Sequence, residues 1–199
     1  MKLYYSKGAC SLVSRICINE LGLKCEYEAV NLSDKTTASG EDYWKINPKG
    51  AVPALLTDDK QILTENAVIQ QYLVDTYHAD KLLPPVGQWK RYRVLEWLNY
   101  IATELHKGFG PLFNPKMPDQ VKQDITTPFL KKKFEFVDSQ LSKNYLMGDE
   151  FTLPDGYLFV MLLWAKKVKL DLSHCKNLMR FMEQAMQRPS IRQSLEEEG

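Results

Sequence analysis

The sequence predicts two domains of different class: an α/β domain over residues 1–78 and an all-α domain over residues 87–199. Three observations predict it. Before residue 78, short β-prone runs alternate with segments of helical spacing. Residues 77–88 carry Leu82-Leu83-Pro84-Pro85-Val86-Gly87, whose two prolines and glycine mark a connector. Beyond it the apolar patterns are helical, with no internal repeat.

Residues 2–5 form a short β-prone run, and residues 6–10, around Gly8, a loop. Val13, Ile16, Cys17 and Leu21 recur at helical spacing, so residues 11–21 read as a helix that Gly22 stops. Residues 25–32 read as a second strand, 41–46 as a short helix, and Asn47-Pro48-Lys49-Gly50 as a turn. Residues 54–57 and 61–63 read as strands joined by a tight hairpin through Asp58-Asp59-Lys60. Thr64-Glu65-Asn66 then opens a helix that runs to about Tyr77. The order β-α-β-(α)-β-β-α is that of a thioredoxin-like domain. In the second domain, residues 89–108, 120–142 and 177–187 read as helices, the last ended by Arg188-Pro189. Thr152-Leu153-Pro154-Asp155 has the form of a capping box, with Asp in place of the usual Glu or Gln, and opens the apolar helix 157–165.

Composition narrows the function classes. A chain of 199 residues, 44% of them hydrophobic, is long enough to bury a substantial core. Lys plus Arg is 26 and Asp plus Glu is 25, a balance that supplies no field for steering onto nucleic acid. The N-terminus is too polar for the apolar region of a signal peptide. No apolar run approaches the ~20 residues that span a bilayer, so no membrane association is expected. The four cysteines, Cys10, Cys17, Cys25 and Cys175, have no CxxC pair and no metal-ligand spacing. Without a secretory signal they read as thiols in a reducing cytoplasm.

The sequence Asn47-Pro48-Lys49-Gly50-Ala51-Val52-Pro53-Ala54-Leu55, the segment Leu63-Thr64-Glu65-Asn66-Ala67-Val68-Ile69 and the cap at residues 152–155 together resemble the cytosolic glutathione transferases, over essentially the whole chain. Gly8-Ala9-Cys10-Ser11 combined with Leu105-His106-Lys107 is similar to the bacterial beta class, in which a cysteine sits at the sulfur of glutathione. The resemblance implies glutathione as co-substrate, a small hydrophobic electrophile as second substrate, no metal, a two-fold homodimer and a site in the cleft between the domains.

Each residue it singles out also has a physical reading. The resemblance makes the Val52-Pro53 bond cis, which exposes the Val52 backbone to an extended peptide that pairs as an added strand. Cys10 precedes the first helix, where the helix N-terminus favours a thiolate and makes a better nucleophile. Glu65 and Asn66 open another helix, whose N–H groups suit a ligand carboxylate while the Glu65 side chain suits an ammonium group. The resemblance places Lys35 on the glycine carboxylate of glutathione. It places His106 opposite Cys10, where an imidazole exchanges a thiol proton. It gives Asn99, Thr103, Glu104 and Leu105 contacts to glutathione. Tyr5 and Ser11 are secondary candidates for a hydrogen bond to a thiolate.

Trp89, Tyr92, Trp97, Tyr100 and Trp164 read as core and interface residues rather than a ligand box. Residues 108–118, with Phe109, Phe113 and Met117, are a candidate wall of the second-substrate pocket, and Lys131-Lys132-Lys133 reads as a solvated helix face. The expected function is therefore conjugation of glutathione to electrophiles together with Cys10-based thiol–disulfide exchange. The competing reading is a non-catalytic scaffold of the same fold that binds a protein partner. The set Cys10, Val52, Glu65 and His106 weighs against it. A glutaredoxin-like reductase is disfavoured by the missing CxxC.

Overall fold

The structure is a computed structural model that describes residues Met1–Gly199. It contains two compact units, one of Met1–Asp80 with Arg188–Gly199 and one of Lys81–Gln187.

The first unit runs β1 (Lys2–Tyr5), α1 (Leu12–Glu20), β2 (Glu26–Asn31), β3 (Thr36–Thr37), α2 (Tyr43–Ile46), β4 (Ala54–Leu56), β5 (Ile62–Thr64) and α3 (Asn66–Thr76). One sheet has the order β3-β2-β1-β4-β5. β1 and β2 are parallel, joined by the α1 crossover. β4 is antiparallel to β1 and to β5, and β3 to β2. The predicted element order holds, with β3 added; two threonines are too short a run to show a period. Side chains alternate across the sheet. Tyr4, Val30, Val52 and Ala54 cluster with Tyr43 of α2. Leu3 and Leu55, partners across β1 and β4, are fully buried on the opposite face.

The second unit is helical. α4 (Trp89–Tyr100) continues through a π-helical turn, Ile101–His106, and a 3-10 turn, Lys107–Phe109, into α5 (Gly110–Phe113). α6 (Asp119–Val121) likewise passes through a π turn, Lys122–Thr126, into α7 (Thr127–Gln140). α8 (Leu153–Lys167) and α9 (Lys176–Met186) follow. The sequence reading had two uninterrupted helices where these changes of winding occur, because a local π turn barely disturbs the apolar period. α8 is buried along all of residues 153–162, the signature of a central helix. Its capping box is formed as expected, with Thr152 N–H donating to Asp155 at 2.8 Å. The other Asp155 oxygen accepts Leu146 N–H at 2.9 Å. The connector is anchored here: Leu153 N–H donates to Leu82 O and Arg91 Nη1 to Pro84 O. No helix is long and apolar enough to cross a membrane.

The last helix, α10 (Pro189–Glu198), differs from the sequence reading. Arg188-Pro189 ends α9 but also starts α10, since proline at a first helical position lacks only an N–H that would go unbonded there. The second domain was read as extending to residue 199. The structure instead groups Arg188–Gly199 with the first unit. The reason is packing: α10 lies against α1, burying Ile191 and Ser194. Glu20 of α1 accepts Arg188 Nε at 2.8 Å and Ser190 Oγ at 2.5 Å.

Candidate active site

Cys10 is half-buried, one residue before Ser11, the N-cap of α1. Its thiol donates to the Val52 carbonyl at 3.2 Å. Its own carbonyl accepts Val13 N–H at 3.1 Å and Asn66 Nδ2 at 3.0 Å. Asn66 Oδ1 accepts Ser14 Oγ at 2.8 Å. Asn66, 5% exposed, thus ties the start of α3 to the start of α1. Asn66 is expected at the ligand through the helix N–H groups; its side chain is engaged inside the protein.

The Val52–Pro53 peptide is cis. Around it, three successive carbonyls are each held by a side chain. Gly50 O accepts Lys35 Nζ at 2.8 Å. Ala51 O accepts both Tyr43 OH at 2.8 Å and Asn47 Nδ2 at 2.7 Å. Val52 O accepts Cys10. Burial pushes the Tyr43 hydroxyl up to about 12, so it remains a donor throughout the neutral range. Tyr43 and Asn47 were missed as site residues, because a helical apolar position and a turn asparagine carry no signal of shared purpose. Lys35 has left-handed backbone, φ 61°, and its ammonium also lies 5.7 Å from the Trp44 ring. An ammonium has three donors, so its bond to Gly50 is compatible with a second, anionic partner.

Glu65 has φ 72°, a left-handed conformation that costs a non-glycine residue on the order of 1–3 kcal/mol. Such outliers concentrate where a ligand is held. Its carboxylate is exposed and accepts Lys49 Nζ at 2.6 Å, so a ligand ammonium would exchange with a lysine ammonium. The two secondary candidates are placed otherwise. Ser11 is fully buried, with its hydroxyl donating to Ser6 O and accepting Ser6 N–H, both at 3.2 Å. The Tyr5 ring packs edge-on to Tyr27 and under the Arg15 guanidinium.

In the second unit, the π turn presents His106. Its Nδ1 lies 2.5 Å from Tyr157 OH, and its ring meets Trp164 edge-on at 5.0 Å. Phe113 stacks on Phe109 and meets Trp164 at 5.0 Å. Phe109 is fully buried, so of the three side chains named for the pocket wall Phe113 is exposed and Met117 partly so. Trp97 is buried, while Trp89 and Tyr92 are exposed and are not core. Asn99 and Thr103 are exposed, and Glu104 pairs with Lys133 at 2.7 Å. Leu105 is fully buried, leaving only its backbone for a ligand.

No disulfide links the four cysteines. Burial pushes the Cys25 and Cys175 thiols up to about 11, and that of Cys17 higher still.

Two family models cover most of the chain: the glutathione S-transferase N-terminal domain matches residues 1–75 and the C-terminal domain residues 100–189. The chain is 45% identical to glutathione S-transferase GstA of Escherichia coli O157:H7, over 100% of this chain and 99% of that one. A bacterial beta class glutathione S-transferase of Sphingomonas chungbukensis superposes with a TM-score of 0.95 at 38% identity, over 100% and 99% of the two chains. A sphingomonad glutathione S-transferase complexed with glutathione gives 0.95 at 37% identity, with the same coverage. Matched in both domains and from end to end, the chain belongs to the glutathione S-transferase family, enzymes whose co-substrate is glutathione.

Proposed function

We propose that Cys10 performs thiol–disulfide exchange with glutathione bound along the Val52 backbone, beside conjugation of the glutathione thiolate to small apolar electrophiles. The observation that carries this reading is the Cys10–Val52 hydrogen bond. It puts a nucleophilic atom on the carbonyl that a peptide added as a strand would also use. A thiol donating to a carbonyl is favoured in its neutral form. A ligand N–H that takes over the Val52 carbonyl removes the proton's acceptor and frees the thiol to ionise. With oxidised glutathione, the Cys10 thiolate then attacks one sulfur. The Cys10–S bond forms as the glutathione S–S bond breaks, and the departing glutathione thiolate takes up a proton.

In this reading Glu65 binds the ligand ammonium by displacing Lys49, and Lys35 binds a carboxylate. Asn99 and Thr103 supply polar contacts, with Glu104 held by Lys133. His106 handles the thiol proton, and Phe113 with Trp164 supports an apolar electrophile. The cytoplasm, where thiols stay reduced, suits four unlinked cysteines.

Oxidised glutathione is expected to add one glutathione at Cys10 alone, checked by intact mass and peptide mapping near pH 7.5. At about 11, the thiols of Cys25 and Cys175 are less than ~0.1% thiolate there and stay unmodified until the pH passes about 10. Cys10→Ala abolishes the adduct, and His106→Ala slows it by ~100-fold, a usual share for a general base. An adduct scattered over several cysteines, or none, sinks the reading.

The homodimer is read from an aromatic face of the second unit. Phe129 and Phe136 are 53% and 46% exposed and border a groove shared with Tyr100, Lys132 and Lys133. Exposed aromatic side chains grouped beside polar ones are a candidate association surface. Sedimentation is expected to give a particle of twice the 23.0 kDa chain mass, and Phe136→Glu to give a monomer. A wild-type particle of single mass rejects the assignment.

A further inference from the structure

We propose that Glu198, in the last turn of α10, is a positioning residue for Cys10: one carboxylate brackets the cysteine, holding Gly8 before it and facing Arg15 after it. Oε2 of Glu198 accepts the Gly8 N–H at 2.9 Å. Oε1 lies 3.9 Å from Arg15 Nε. Although it belongs to the acidic run 196–198 near the end of the chain, the Glu198 side chain is only 6% exposed. Arg15 is itself 2% exposed, with its guanidinium 4.5 Å from the Tyr5 ring and 3.7 Å from the Tyr27 ring. The neighbouring Glu197 accepts Arg15 Nη1 at 3.2 Å and Asn19 Nδ2 at 3.0 Å.

This arrangement is a poor stabiliser. Burial pushes the Glu198 carboxyl above the usual carboxylate range, against the pull of Gly8, Arg15 and Lys7. Arg15 Nε and Nη2 and Glu198 Oε1 are buried without a hydrogen-bond partner. An apolar pair of similar volume would dock α10 on α1 at least as well. An apolar residue cannot accept the Gly8 N–H. Gly8 has φ +69° and leads into the turn in which Ala9 N–H bonds Ser6 O and Leu12 N–H bonds Ala9 O. That turn sets where Cys10 Sγ meets Val52 O. The carboxylate therefore does its work on the reactive loop.

The inference rests on the reading of Cys10 as a thiol nucleophile. Three forms are compared: wild type, Glu198→Gln, which keeps an acceptor, and Glu198→Met, which keeps the volume without one. Glu197 stays on Arg15 in all three, so thermal midpoints are expected to agree. Glu198→Met is expected to form the Cys10 adduct with oxidised glutathione ~10-fold more slowly, since small misplacements at a reacting atom are costly. Its affinity for S-methylglutathione, measured by calorimetry, moves less than about twofold, and its Gly8 amide exchanges faster with deuterium. Glu198→Gln stays near wild type in all three readouts. A wild-type adduct rate in Glu198→Met, or equal losses in both variants, overturns the bracket. If wild-type protein forms no Cys10 adduct, the redox reading fails separately. Gly8 exchange then decides the bracket, with unchanged protection in Glu198→Met overturning it.

Discussion

Asp155→Ala is expected to lower the thermal midpoint by about 10 °C, as a loss of roughly 3–5 kcal/mol does in a chain of this size. Asp155 is fully buried, and its two oxygens serve Thr152 N–H, Thr152 Oγ1 and Leu146 N–H. Alanine leaves all three donors without that acceptor, and each buried unmet donor costs about 1–3 kcal/mol. The damage falls at the start of α8, the helix around which the second unit is packed. Asp155→Asn keeps one carbonyl oxygen and is expected to lose about half as much. Thermal unfolding followed by circular dichroism checks both, and a loss below ~1 kcal/mol for the alanine variant would show that water replaces the carboxylate.

Gly50→Val is expected to weaken glutathione binding by ~100-fold and to destabilise the fold by roughly 3 kcal/mol, the sum of left-handed backbone cost and forced repacking. Gly50 has φ +59°, and a Cβ there would come within 2.5 Å of two Trp44 ring carbons. Trp44 is half-exposed and swings away, but it then leaves Lys35, whose Nζ holds the Gly50 carbonyl. The disturbance passes directly into Ala51 and Val52. Titration calorimetry with glutathione and urea unfolding measure the two effects. Unchanged affinity alongside lost stability would separate this turn from the ligand site.

Much of the α/β order was legible because strand runs, Gly22 and the Asn47–Gly50 turn are local signals, and the capping box at Thr152 was read with its unusual Asp. For the proposed site the sequence offered position alone, and the structure places Cys10 just before α1 and Glu65 just before α3 as that reading expects. What stayed hidden was relational. Nothing in the sequence says that Tyr43 and Asn47 meet on one carbonyl, or that the Asn66 side chain turns inward to Cys10 O. Arg188-Pro189 looked like an ending because proline punctuates in both directions, and α10 was lost with it. Arg15 passed unremarked in α1 because its partners lie far along the chain, at residues 197 and 198.

The placement of α10 has a consequence for biosynthesis. A ribosome delivers the strands, α1 and α3 first, then the entire helical unit, and only afterwards residues 188–198. A nascent α/β segment can collapse early, since domains tend to fold as they emerge. Its α1 surface nevertheless waits, uncovered, for Ile191 and Ser194. The loop before Cys10 waits for Glu198 in the same way. Until residues 188–198 have been made, then, the thiol is carried on an unfinished mount, and its final setting comes only after the helical unit has been synthesised.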